Sequence, residues 1–202
     1  MNFIVEIPKE KTSVWEHYVP IIKSTDNKVI HAYLHGNILG PEEYSELCFS
    51  LYTAETGSDI YIHINSEGGI VDSAFMIYSA IMESKATVHS ILTGTVASAA
   101  SVIALACDTL TIKPFTNFMA HNYSHGASGS GAQVKDYVNY IDKEFTTAAK
   151  KIYTPFLTPE ELISISTLDK EVWLNAEDVQ TRWDRVLTIR YAHKKKSSNN
   201  EH

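Results

Sequence analysis

The sequence predicts an α/β fold. Three observations carry that prediction. β-Branched runs such as IYIHIN (Ile60–Asn65) and TVHSIL (Thr87–Leu92) have strand character. Ile70, Ala74, Ile77, Tyr78, Ile81 and Met82 recur at helical spacing. Glycines punctuate the changes from one pattern to the other. Strand then helix, repeated, is the order of crossovers that return to one sheet, and each strand is expected to have both faces covered. At 202 residues and 22.6 kDa the chain is one domain, or one domain with an appendage. A chain of this length buries roughly 70% of the surface that its unfolded form exposes.

Residues 1–27 are polar and aperiodic, with Pro8 and Pro20, and are expected to form an N-terminal arm. Val29, Ala32 and Leu34 begin a strand that Gly36 closes. Pro41 then opens a helix, with Glu42 and Glu43 in the first turn where the helix dipole favours acids. That helix runs to Thr56, and Gly57 stops it. Ile60–Asn65 is the next strand, SEGG a turn, and the stripe from Ile70 to Met82 a helix. Thr87–Leu92 is a strand ended near Gly94. SAASVIALA (98–106) is small and apolar, as in a helix pressed on a sheet. Thr109–Ile112 and Asn117–His121 are short strands.

SHGASGSG is a loop of low restraint. A long helix follows, with Val134, Val138, Ile141, Phe145, Ala148, Ala149 and Ile152 on one stripe. Thr158 caps a shorter helix that has Pro159 in first position. VWL is extended, Ala176–Gln180 helical, and Arg185–Arg190 a last strand. Residues 191–202 form a polar tail expected to be disordered.

Composition narrows the function. No apolar run approaches the roughly 20 residues that cross a bilayer, so no membrane partner is expected. The N-terminus lacks a basic segment followed by an apolar one, so no secretory signal is expected. Two cysteines, Cys48 and Cys107, without a CxxC, exclude a disulfide framework and fit a reducing cytoplasm. A net charge of -7 argues against nucleic acid as a main partner. His31 and His35 are four apart, as are His121 and His125. On a strand that offset is about 13 Å, too far for one ion, while His121 and His125 straddle a loop with no cysteine nearby; with no HExxH either, no metal is expected.

Two glycine-centred turns, NSEGG and GTVAS, each join a strand to a helix. The C-terminal edge of parallel strands is where open α/β sheets place ligands. Ser98 stands at a helix start, beside backbone N–H groups without intrahelical acceptors, which suit an oxyanion. A serine there is also the ordinary helix cap, so neither motif alone identifies an enzyme. A serine nucleophile needs a base and the base an orienter. His121 ends a strand, and Asp169 and Glu171 supply carboxylates downstream.

Taken in order, IYIHINSEGG (60–69), SAFMIYSAI (73–81), GTVASAAS (94–101), NFMAH (117–121) and WLNAEDV (173–179) resemble the ClpP family of serine peptidases, the proteolytic subunits of the Clp protease. The resemblance covers about residues 28–190. It implies a ClpP/crotonase-like superhelix of repeated β-β-α units, with a protruding handle helix within about 123–155. It assigns Ser98 as nucleophile, His121 as general base, and the N–H groups of Gly69 and Ala99 as the oxyanion hole. The family's aspartate falls at Glu171 when counted back from Trp173; Asp169 serves only with a two-residue shift or a bulge. Glu67 replaces the family's usual proline, and Asn122-Tyr123 its Gln-Pro.

The resemblance further implies heptameric rings stacked into a tetradecamer. A hexameric Hsp100-type AAA+ ATPase would feed them, ATP being used by that partner and no cofactor by this chain. The substrates would be unfolded polypeptides and peptides. Two other readings remain at this stage: a catalytically silent subunit of a mixed ring, and an acyl-CoA enzyme on the related crotonase fold.

Overall fold

The computed structural model describes residues 3–6, 21–24, 26, 28–124 and 126–198. The chain divides into two compact units, Met1–Phe118 and Met119–His202. Alpha-helix and sheet are mixed, as predicted.

The first unit is a sheet with helices on one face. Its strands are β1 (Phe3–Glu6), β2 (Ile21–Ser24), β3 (Val29–Ile38), β4 (Asp59–Gly69), β5 (Thr87–Ala97) and β6 (Thr109–Ile112). β3, β4, β5 and β6 pair in parallel. β1 and β2 join antiparallel at the β3 edge, with Ile21 opposite Ala32. Part of the expected irregular arm is therefore strand. No alternation announced it, because each piece is only four residues long.

Crossovers are supplied by α1 (Ser45–Thr53), after a 3₁₀ turn at Pro41–Tyr44, by α2 (Val71–Glu83) and by α3 (Ala99–Ala106). Pro41 opens this segment as predicted, but the helix stops at Thr53, and Ala54 is already extended. α2 packs against α1 and α3, and α3 against β4 and β5. Ile30, Ala32, Leu34, Ile60, Ile62, Ile64, Val88 and Leu92 are buried with Leu47, Leu51, Ile77 and Ile103. Every side chain of α3 is buried, which is why its residues are small: AASVIALA lets the helix axis approach the sheet. Cys48 and Cys107 are buried thiols, and burial pushes Cys48 up to about 11.

The expectation that both strand faces are covered fails within this unit. IYIHIN alternates, with its isoleucines buried and Tyr61 and His63 only half-buried on the other face. A further correction concerns strand ends. Gly36 does not close β3, because a register shift between His35 and Asn37 lets pairing resume to Ile38 and Gly69. SEGG is therefore the end of β4 rather than a separate turn, and β5 runs past Gly94 to Ala97.

β7 (Asn117–Ala120) leads into the second unit, which holds α4 (Gly131–Tyr153), α5 (Pro159–Thr167), β8 (Val172–Asn175) and α6 (Ala176–Ser198). Ser130 and Gln133 form a capping box at the start of α4. The predicted stripe of α4, from Val134 to Ile152, is its half-buried side, while the flanking positions are exposed. Thr158 caps α5 as predicted, and Glu161 returns to the Thr158 N–H. Arg185–Arg190 is helix, not strand: α6 is continuous through it and takes in positions 191–198 of the expected tail. Residues 199–202 lie outside the described residues. Val179, Trp183 and Val186 at i, i+4 and i+7 are buried along α6 with Phe156, Leu157 and Ile165, so a helical period holds the segment.

Arg182 on α6 donates both terminal nitrogens to Glu161 on α5, at 2.6 and 2.8 Å. This fork holds the Glu161 carboxyl below its ordinary value of 4.5. A carboxylate so depressed contributes stability above its unfolded value, and that contribution is lost as pH falls through the folded one. Arg182→Met is expected to lower unfolding free energy by about 1–2 kcal/mol near neutrality. In denaturant melts, the gap from wild type should close as pH falls below 4.5; a gap constant down to pH 3 would contradict this role.

Candidate active site

The strands bring the two glycine-centred turns of the sequence to one place. β4 and β5 run in register from Asp59↔Thr87 to Ile64↔Leu92, then slip, so that Ser66 faces Val96. The slip is held by side chains. Asn65 Oδ1 accepts the Thr95 N–H at 3.1 Å, and Thr93 Oγ1 donates to the Ile64 carbonyl. Gly94, at φ 61, faces this amide: a β-carbon there would lie 2.7 Å from Asn65 Oδ1.

The result is close approach of Gly68 to the segment 97–99. A β-carbon on Gly68 would stand 2.6 Å from Ser98 Cβ, 2.7 Å from the Ala97 carbonyl oxygen and 3.0 Å from Ala99 N. Gly68 has φ 99 and donates its N–H to the buried Ser66 hydroxyl. Gly69 is equally confined, because a β-carbon there would overlap the Ile38 carbonyl oxygen on β3. Both glycines are thus required by space as well as by φ.

Ser98 occupies the junction of β5 and α3 with φ 55 and ψ −125, a region that side chains other than glycine rarely enter. It is the N-cap residue by position, yet its side chain makes no capping hydrogen bond. Its carbonyl instead accepts from the Ser101 N–H and, at 2.6 Å, from the buried Ser101 hydroxyl. Ordinary capping, the plain explanation of a serine there, does not describe this residue. Ala99 is the first residue of α3, so its N–H has no intrahelical acceptor. Such a turn suits nucleophilic chemistry: a hydroxyl held at a strained strand–helix junction, beside N–H groups of a helix start.

The other predicted residues belong to the second unit. His121 follows β7 directly and is half-buried. Tyr123, two residues on, stacks on Phe145 of α4 with ring centroids 4.2 Å apart. Its hydroxyl donates to Asp142, and its ionisation is pushed up to about 12 by burial and by that carboxylate. Asp169 and Glu171 are exposed, on the connection between α5 and β8. Asp169 has φ 50. Glu171 Oε2 accepts the Trp173 indole N–H at 2.8 Å, which fixes one carboxylate oxygen and leaves Oε1 for another donor. Among the described residues no three His, Cys, Asp or Glu side chains are grouped to hold a metal.

Sequence reasoning named Gly69 but missed Gly68, Asn65 and Ser101. The doubled glycine was the available signal for Gly68. Nothing local marked Asn65, since its partner is 30 residues away.

A family model described as "Clp protease" matches residues 41–182. The chain is 33% identical over 121 residues to an "ATP-dependent Clp protease proteolytic subunit 2" of Treponema denticola, covering 59% of this chain and 60% of that one. It is 35% identical over 128 residues to the subunit of the same name from Pseudomonas aeruginosa, again 59% and 60%. Against "ATP-dependent Clp protease proteolytic subunit 3" of Rhizobium etli it is 29% identical over 169 residues, 80% and 86%. The chain thus spans about 60% of the length of the first two relatives.

Gly68→Ala tests the close approach. The added methyl displaces segment 97–99, and the reactivity of the Ser98 hydroxyl toward a fluorophosphonate is expected to fall about a hundredfold, as misplacement by about 1 Å does elsewhere. Undiminished labelling of a folded Gly68→Ala protein would show that the approach has no chemical role.

Proposed function

The chain belongs to the Clp protease family, and we propose from the site geometry that it is an active serine-type endopeptidase subunit. The observation that carries the proposal is Ser98: strained, not used as a cap, and packed against Gly68 beside the start of α3. Ser98 Oγ attacks a peptide carbonyl and passes its proton to His121. The Gly69 and Ala99 N–H groups receive the oxyanion; loss of one such donor typically costs about a hundredfold or more in rate. The carbonyl then re-forms, the C–N bond breaks, and His121 protonates the leaving amine. Water, activated by the same imidazole, releases the acyl group from Ser98.

Glu171 is the favoured acid. The Trp173 indole supports that choice, since it limits the extra rotation that glutamate has over aspartate. Asp169 is the alternative, and its φ of 50 is the local irregularity that a two-residue shift requires. The acid's work is to hold the imidazole tautomer and to stabilise imidazolium.

The subunit is proposed to assemble into stacked heptameric rings in the cytoplasm and to receive unfolded polypeptide from an Hsp100-type AAA+ ATPase. What supports this is the family and the stripe of α4 from Val134 to Ile152, which is only half-buried along a helix whose one buried residue is Tyr153. Apolar surface of that length favours a partner. No described helix is long and apolar enough to cross a membrane.

Two measurements test the reading. Purified protein is expected to cleave a small fluorogenic peptide, and Ser98→Ala to abolish both cleavage and fluorophosphonate labelling; labelling that survives in Ser98→Ala would reject the nucleophile. Native mass is expected to be a large multiple of 22.6 kDa, and a monomer in gentle buffer would reject the ring.

A further inference from the structure

The sheet face turned away from α1, α2 and α3 carries an array that the proposed chemistry does not use. Parallel pairing sets His31 opposite Tyr61 and Tyr33 opposite His63, and Tyr61 opposite His89. The rings stack across the strands: His31 on Tyr61 at 4.8 Å and 13°, Tyr33 on His63 at 4.3 Å and 10°, Tyr61 on His89 at 4.6 Å and 15°. On the diagonal, His31 Nδ1 and His63 Nε2 are 3.0 Å apart, a hydrogen bond between two imidazoles. His89 is anchored otherwise, with Nε2 2.9 Å from Asp59 Oδ1 and Nδ1 2.8 Å from Thr109 Oγ1.

An imidazole pair at this separation is bonded only while one facing nitrogen carries a proton and the other a lone pair. One added proton can sit on the far nitrogen of the donor ring, and the bond survives. A second must occupy the acceptor nitrogen, which leaves two N–H groups and two positive charges facing each other. The described side chains around the pair are Tyr33 and His35 on β3, Tyr61 and Asp59 on β4, His89 on β5 and Lys113 after β6. Asp59 is the carboxylate among them, and His89 holds it. Burial lowers His31, and His63 is lowered by burial and then by His31, His35 and Lys113.

We propose that the His31–His63 pair is a proton-sensitive clasp between β3 and β4, closed while it holds no more than one added proton and opened by the second. Its position gives the opening a target. His63 is two residues before Asn65 on the same face of β4, and Asn65 holds the Thr95 N–H that sets the register leading to Ser98. The folded clasp binds fewer protons than the same histidines in the unfolded chain, whose ordinary value is 6.5. Stability is therefore full above that value and falls as pH drops through it. The inference does not depend on the peptidase reading, since it needs only the fold.

The test is thermal unfolding of the full chain between pH 8 and pH 5.5, wild type against His31→Gln and His63→Gln. Glutamine keeps a polar partner and does not titrate, and the seven histidines outside the pair are common to all three proteins. Wild type is expected to lose about 2–4 °C more in Tm over this range than either variant. Equal losses would overturn the clasp. A second readout uses the unaltered protein: the imidazole resonances of His31 and His63, followed by NMR, are expected to shift together in two steps centred below 6.5. Independent single steps at or above that value would overturn it, whatever the variants do.

Discussion

Parallel pairing of β4 with β5 is the constraint on which the site depends. Parallel strands end at the same edge, so two turns 30 residues apart arrive side by side without any direct attraction between them. The slip after Ile64 then decides how closely they meet. Asn65 stabilises it by accepting a backbone N–H that would otherwise lose its ladder partner, and Gly94 leaves room for the amide that does so. Gly68 converts that alignment into contact. Ser98 takes up its unfavourable φ because β5 enters from one side, α3 leaves on the other and Gly68 bars any relaxation between them.

Helices were legible in the sequence where chemistry is local. Pro41 with its acids, Thr158-Pro159 with Glu161, and the stripe of α4 each follow from residues within one or two turns, and each stands where it was expected. What was not legible is what depends on distant partners. β1 and β2 are strands because they meet each other and β3. SEGG is extended because Ile38 pairs with Gly69 past a bulge, and a glycine pair alone reads as a turn. Arg185–Arg190 misled because Val186, Leu187 and Ile189 resemble a strand, while the helical period is visible only when Val179 and Trp183 are counted with them.

The site was legible in kind rather than in detail. Two turns pointed to Ser98 and to a glycine N–H, the family resemblance picked out Gly69, and the structure adds Gly68 as the residue that touches Ser98 and Ser101 as the hydroxyl beneath it. His31 was weighed against His35 along one strand, where a four-residue offset keeps the two apart. The pair that meets joins neighbouring strands, and its register comes from the sheet. Trp173 read only as a landmark for counting; its indole proved to be a donor to Glu171.

The burial of both sulfur atoms has a practical consequence. Cys107 is fully buried and so out of reach of a reagent in solution, and burial pushes the Cys48 thiol up to about 11, far above neutral pH. Maleimide chemistry therefore starts from a silent background. A single cysteine placed at an exposed position of α4, such as Tyr140, would carry a fluorophore or spin label alone and report whether copies of the chain come together, without prior removal of the native residues.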